Sequence, residues 1–341
     1  MSADVWFTRC PVPTAFSLAV STGRLTERLT GLDTAFRSLA TAHDEETRTT
    51  HFTQAQPRSV RHGGNIPPLV AASRGADVAI IGLSVAPSNA ALLARPESGI
   101  TSAEDLRGKV IGIPRRLNDP VDFWRATVLQ GVTRAVRTAG LTLDDVELRD
   151  IEIGRSFASD STSRDTAVAT LWDAAFMLGF QREESAALLS GRVDAIFAEG
   201  ANRPITEAFT GATAVVEAGE TAHTDPRLSS NLRPLTLSVT GDLLRADPSI
   251  VDAILDETTA AAVWAQSQAD AARRIIAAEV GVAEELLDRS FAPGLAAELD
   301  VSLDPDRLVL LEHQIAFLYD QGFLDRAVDV AEVVVDRAAV A

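Results

Sequence analysis

The chain has 341 residues, 46% of them hydrophobic, which suits two domains of ordinary size with a sizeable core and excludes a single small core. Its 31 basic and 48 acidic residues leave a net charge of −17, which argues against nucleic acid and against an anionic membrane surface as partners. A single cysteine excludes an internal disulfide and a thiolate metal cluster. No stretch approaches the ~20 apolar residues of a membrane span. The opening residues lack the basic-then-apolar pattern of a signal peptide, so the cytoplasm is the expected compartment and a reduced thiol goes with it.

In chain order, residues 4–9 read as a strand that Pro11 and Pro13 end at Cys10, and helical spacing follows over 15–32. Residues 35–40 and 48–53 read as two further strands, with His51 near the end of the second. Gly63 and Gly64 leave the backbone bare before a helix that Asn65 or Ile66 caps and that runs to about Ser73, with Pro67 and Pro68 in its first turn. Residues 77–83 and 91–94 are strands. A second unit opens at Thr101 or Ser102, the cap of a short helix that Gly108 closes, followed by a strand at 110–113. Then come a helix over 122–139, a strand over 146–153 and a Ser-rich loop over 154–163. A helix over 183–190 and strands at 193–198 and 214–216 follow, with an irregular polar crossing at 221–231. After a strand at 234–239 the chain is almost wholly helical: 243–245, 248–279, 283–291, 306–319 and 331–341. Strands alternating with helices predict an α/β architecture with mostly parallel sheets.

The stretch that carries chemistry is HFTQAQPRSVRHGGNIPP, residues 51–68. Bare backbone N–H groups, a helix N-terminus and the guanidinium of Arg61 together make an anion site. Each residue also has a plain reading. An isolated arginine is mostly a solvated surface charge, and a free cysteine is mostly an inert small hydrophobe. Cys10 becomes reactive only beside a partner that exchanges its proton, and His51 is the candidate. His43, His223 and His313 read as surface residues. No pair has metal-ligand spacing, and nucleotide-binding loops and the GxSxG elbow are missing, so neither a metal nor a cofactor is expected.

Cys10-Pro11-Val12-Pro13, His51-Phe52-Thr53, Gln56-Pro57 and Arg61 with Gly63-Gly64 and Ile66-Pro67-Pro68 resemble the 2′-hydroxybiphenyl-2-sulfinate desulfinases of dibenzothiophene desulfurisation. DLRGKVIGIP and LSGRVDAIFA extend the resemblance over nearly the whole chain. These desulfinases lie within the type II periplasmic-binding-protein-like superfamily, whose members bind sulfonates and thiamine precursors. The resemblance implies two α/β lobes with a ligand cleft between them: residues 1–98 plus 232–341 carrying Cys10, His51 and Arg61, and residues 99–231. It implies Cys10 as nucleophile or proton donor, His51 as its partner, Arg61 with the Gly64 N–H as sulfinate ligand, and Trp124 as a pocket residue. Gly63 and Gln54 join the substrate-binding set.

The implied reaction is hydrolytic cleavage of the C–S bond of a 2-phenylbenzenesulfinate-like substrate, releasing sulfite. Either the Cys10 thiolate attacks sulfur, or the thiol protonates the ring carbon and sulfur departs to water. The expected partner is this small aryl sulfinate alone, on a monomer. The family has tyrosine at Gln54, phenylalanine at His62 and a Ser-Asn pair at Thr8-Arg9. These departures bear on the aryl group. Arg9 and His62 read as solvent-facing, with service to a second polar group of the substrate as the alternative. Two other readings stay open: a non-enzymatic solute-binding protein for a sulfonate or related anion, and a thiamine-precursor-type protein.

Overall fold

The computed structural model describes residues 4–160, 180–218 and 233–337. The chain forms two compact units: Met1–Ala86 with Arg233–Glu284 and Gly294–Ala341, and Pro87–Leu232 with Glu285–Pro293. The strands are β1 (Val5–Arg9), β2 (Phe36–Ser38), β3 (Ser59–Gly64), β4 (Val78–Ser84), β5 (Ala90–Ala94), β6 (Val110–Arg116), β7 (Glu147–Ile153), β8 (Ala195–Glu199), β9 (Thr213–Glu217) and β10 (Leu235–Thr240).

The first unit is built on a five-stranded sheet of order β2-β1-β3-β10-β4, in which β1 is parallel to β2 and β3, and β10 is antiparallel to β3 and β4. The second has the order β7-β6-β8-β5-β9, with β6 parallel to β7 and β8, and β5 antiparallel to β8 and β9. Four strands of each sheet therefore run one way and one runs against them. This is the mostly parallel α/β architecture expected. The opposed strand in each case is the one the chain supplies on entering that unit. All five residues of β5 are buried between β8 and β9, so residues 90–94 belong to the second sheet, although the sequence boundary at 98 assigned them to the first unit.

Several elements differ from their sequence reading. Residues 48–53 are not a strand. They are the end of helix Glu45–Thr53, which the Asp44 side chain caps by accepting from the Thr47 N–H, with Glu45 and Glu46 in its first turn. Three threonines, Thr49, Thr50 and Thr53, suit a strand, but the cap and the acidic first turn decide for helix. The spacing over 15–32 divides into Ala15–Ser21 and Arg24–Thr30 at Gly23, whose φ is +81°. The run over 248–279 divides at Gln268 into Pro248–Ser267 and Ala269–Val280. The helix Asn202–Thr210 had no sequence prediction. The last helix is only Val330–Val333. The crossing at 221–231, the end of the Ser-rich loop from 161 and the last residues from 338 lie outside the described residues.

The largest departure concerns Gly63 and Gly64. They are not a bare loop before a helix but the end of β3, in register with Thr236 and Leu235 of β10. Glycine is weak in strands, and pairing with β10 holds both residues here. The helix Ile66–Ser73 follows as predicted, wholly buried, with Asn65 at its start. Asn65 does not cap it through its side chain; Nδ2 donates to the Pro234 carbonyl at 2.8 Å. No helix of the described residues is long and apolar enough to cross a membrane.

Candidate active site

Residues paired across neighbouring strands share a sheet face. Thr8 pairs with Arg61, and Arg61 and Gly63 alternate onto one face of β3. Cys10 follows one residue after β1 ends, its N–H donating to the His62 carbonyl at 3.2 Å. Thr8, Cys10, Arg61 and Gly63 therefore meet on one side of the sheet. His51 arrives from the last turn of the helix Glu45–Thr53.

The sulfur of Cys10 is the centre of this group. Arg61 Nη2 donates to Sγ at 3.1 Å, and His51 Nε2 lies 3.7 Å from it. The second ring nitrogen, Nδ1, is 2.7 Å from Thr8 Oγ1. With the proton on Nδ1, donated to Thr8, Nε2 is an acceptor turned to the thiol. With the Thr8 hydroxyl donating instead, Nε2 carries the proton and faces sulfur as a donor. Burial, reinforced by the Arg61 charge, holds the His51 pKa well below 6.5, so at neutral pH the ring is uncharged and either tautomer is open to it. Thr8 orients this imidazole, and the sequence reading missed it. The signal was its place two residues before Cys10 on the same strand, hence on the same face.

Arg61 is 1% exposed. Its Nη1 donates to the Gly64 carbonyl at 2.7 Å and its Nη2 to sulfur, and no carboxylate among the described residues pairs with it. Burial pulls its pKa below the ordinary value while Cys10 pushes it up. A buried cation without a carboxylate partner is costly, and a bound anion offsets that cost.

Gly63 makes room for the sulfur. A Cβ built there would lie 2.5 Å from Cys10 Sγ and 2.8 Å from Cys10 Cβ, whereas one on Gly64 meets nothing within 4 Å. Gly63→Ala should therefore displace Cys10 and cost about 1–3 kcal/mol of stability, while Gly64→Ala leaves stability near wild type. Urea unfolding of the two variants checks this, and equal stabilities would refute the close packing.

The other predicted residues fall as follows. Gln54 closes the helix of His51 in a left-handed conformation, φ 55°, its Nε2 donating to the His51 carbonyl at 2.9 Å. Trp124 belongs to the second unit, buried, with its indole N–H donating to Glu184 at 2.7 Å and the Phe180 ring edge-on at 5.2 Å. Burial raises the Glu184 carboxyl to about 7, against the pull of the Trp124 hydrogen bond.

His62 does not point to solvent, and Arg9 does so only in part. Arg9 pairs with Glu279 at 2.9 Å and donates to the Ser17 carbonyl at 3.3 Å. His62 is fully buried on the opposite face from Arg61, with Nε2 3.0 Å from Ser84 Oγ and the Phe16 ring edge-on at 6.1 Å. The alternation of β3 puts it there. Burial first, and then the Arg61 charge, lowers its pKa from 6.5 to about 3, so it is neutral at neutral pH and adds no second cation.

The unfolded chain takes up this proton near pH 6.5 and the folded chain only near 3. The contribution of His62 is thus present above about 6.5 and lost as pH falls towards 3, a loss on the order of 5 kcal/mol. His62→Phe should shrink the drop in melting temperature between pH 7.5 and pH 4.5. An unchanged drop would show that this imidazole is not what acid attacks.

Two α/β units, each on a five-stranded sheet with one opposed strand, define the periplasmic-binding-protein-like class of folds. Residues 63–272 match the model of the family described as NMT1/THI5 like, and the chain belongs to that family. Among curated proteins, 2′-hydroxybiphenyl-2-sulfinate desulfinases of Rhodococcus erythropolis and Rhodococcus qingshengii are each 29% identical, over 94% of this chain and 88% of theirs. The solved structure of the desulfurization enzyme DszB is 28% identical with a TM-score of 0.75, covering 98% of this chain and 97% of that one. A cysteine-to-serine mutant of DszB in complex with biphenyl-2-sulfinic acid matches at 26% identity and the same TM-score, over 99% and 97% of the two chains. The aliphatic sulphonate-binding protein SsuA of Escherichia coli matches at 14% identity and TM-score 0.66, over 98% and 92%, a likeness of fold alone.

Proposed function

We propose that the chain is an aryl sulfinate desulfinase that cleaves the C–S bond hydrolytically: ArSO2⁻ + H2O → ArH + HSO3⁻. The observation that carries this reading is the buried Arg61 guanidinium, without a carboxylate among the described residues and 3.1 Å from the only thiol of the chain. A protein that merely captures an oxyanion needs the cation but not the thiol. Similarity to desulfinases over nearly the whole length supports the same reading.

A sulfinate offers two oxygens on a pyramidal sulfur, which a guanidinium holds through two N–H groups more rigidly than an ammonium. Arg61 and the Gly64 N–H are assigned these oxygens, with the substrate sulfur beside Cys10. In one route the cysteine sulfur attacks, the aryl carbon takes a proton, and ArH leaves a Cys–S–SO2⁻ adduct that water converts to thiol and HSO3⁻. In the other, the Cys10 thiol protonates the aryl carbon, SO2 departs and is hydrated, and the released proton returns to Cys10. His51 relays the proton in both, and Arg61 steadies the negative charge. Trp124 and Gln54 are assigned to the aryl group, on the resemblance. The cytoplasm remains the proposed compartment.

The test is sulfite release from 2-phenylbenzenesulfinate and its hydroxylated analogue. Turnover is expected and should be abolished by iodoacetamide, whose only thiol target in this chain is Cys10. Binding without turnover, insensitive to the reagent, would make the protein a carrier.

A further inference from the structure

We propose that Thr236 is a further substrate-binding residue of this site, its hydroxyl donating to a sulfinate oxygen; the assignment rests on the desulfinase reading. Thr236 lies on β10 directly across from Gly63, so the two share a sheet face. That face holds Cys10, whose sulfur fills the space a Gly63 side chain would take. The hydroxyl thus flanks the sulfur on the side away from β1. It is fully buried, and its Oγ1 has no hydrogen-bond partner. Buried hydroxyls are almost always paired, so an orphan calls for a physical reason.

A second orphan shares this face. Arg61 Nε carries an N–H and is likewise buried and unpartnered. It stands one cross-strand pair further along, where Arg61 faces Ser238. Two unsatisfied N–H or O–H groups on the face that holds one sulfur fit a ligand that brings anionic oxygens to that face. Arg61 supplies the charge, and Thr236 supplies a short, fixed donor that selects where the second oxygen lies. The neighbouring Ser238 cannot take this part, since its hydroxyl already donates to the Arg61 carbonyl at 3.4 Å.

The experiment compares Thr236→Val, which keeps the shape and removes the hydroxyl, with Thr236→Ser, which keeps the hydroxyl. Calorimetry on the Cys10→Ser background reads the Kd for 2-phenylbenzenesulfinate, and steady-state sulfite release reads KM and kcat in otherwise wild-type protein. The valine variant should weaken Kd and raise KM by about 10- to 100-fold, and the serine variant should stay within about threefold. The melting temperature of the valine variant should be unchanged or higher, because an unpaired buried hydroxyl is replaced by a methyl group. Binding within twofold of wild type in the valine variant overturns the proposal. So does a drop in melting temperature for the valine variant, which marks a structural role. If wild-type protein binds the sulfinate but releases no sulfite, the desulfinase reading fails while the Kd comparison still decides Thr236. If it binds none, both fall.

Discussion

Cys10→Ser should abolish sulfite release while leaving aryl sulfinate binding within a few-fold of wild type. The size of the loss separates the two routes. A group that only delivers a proton contributes about 10²- to 10⁴-fold, whereas loss of a covalent nucleophile has cost about 10⁶-fold in a well-studied hydrolase. Serine has nearly the shape of cysteine, so it keeps the space that Gly63 leaves open. Arg61 Nη2, which now donates to sulfur, can donate to the serine oxygen instead. Binding should therefore survive, and calorimetry can be read beside the rate. If Cys10→Ser released sulfite as fast as wild type, both routes would be dead and the thiol would be a bystander.

Arg61→Met should lower sulfite release by about 10²- to 10³-fold, the usual cost of removing one charge-stabilising donor. Sulfinate binding should weaken with it. Its effect on stability should run the other way. The guanidinium is buried without a carboxylate among the described residues, so an apolar side chain of similar length removes a desolvation cost. Replacing buried charges by well-packed apolar groups is often neutral or stabilising by ~1–4 kcal/mol. A variant that unfolds more easily than wild type would mean that the charge serves the fold and not a ligand. Arg61→Lys should recover little, because an ammonium cannot reach sulfur, the Gly64 carbonyl and two substrate oxygens from one rigid plane.

Opposite signs for activity and stability are expected at Arg61 and again at Thr236. Both positions keep a buried polar group without its full set of partners, on one face of one sheet. Completion by a bound ligand is the reason proposed for both.

Much of this was legible in the residues themselves. The strand ending at Cys10, the buried helix after Asn65 and the strand of β4 follow from proline placement, capping and apolar runs, all of which act over a few residues. The motif around Arg61 marked an anion site, because a guanidinium beside paired glycines is a local statement about charge and backbone access. The helical state of His51 was also written locally, in Asp44 and the two glutamates after it, but the threonines obscured it.

What the chain order alone left undecided is everything that depends on register between distant strands. Gly63 looked like a place for the backbone to meet a ligand; pairing β1 with β3 makes it instead the seat of the Cys10 sulfur. His62 stands next to Arg61 in sequence yet faces the other side of the sheet as a neutral buried ring. Thr8 and Thr236 carry no motif and join the site only because β1 and β10 flank β3. The reason is geometric. Local sequence sets the type of an element and its alternation, while the partners on each face are chosen by contacts between segments far apart in the chain, and those exist only once the sheet has assembled.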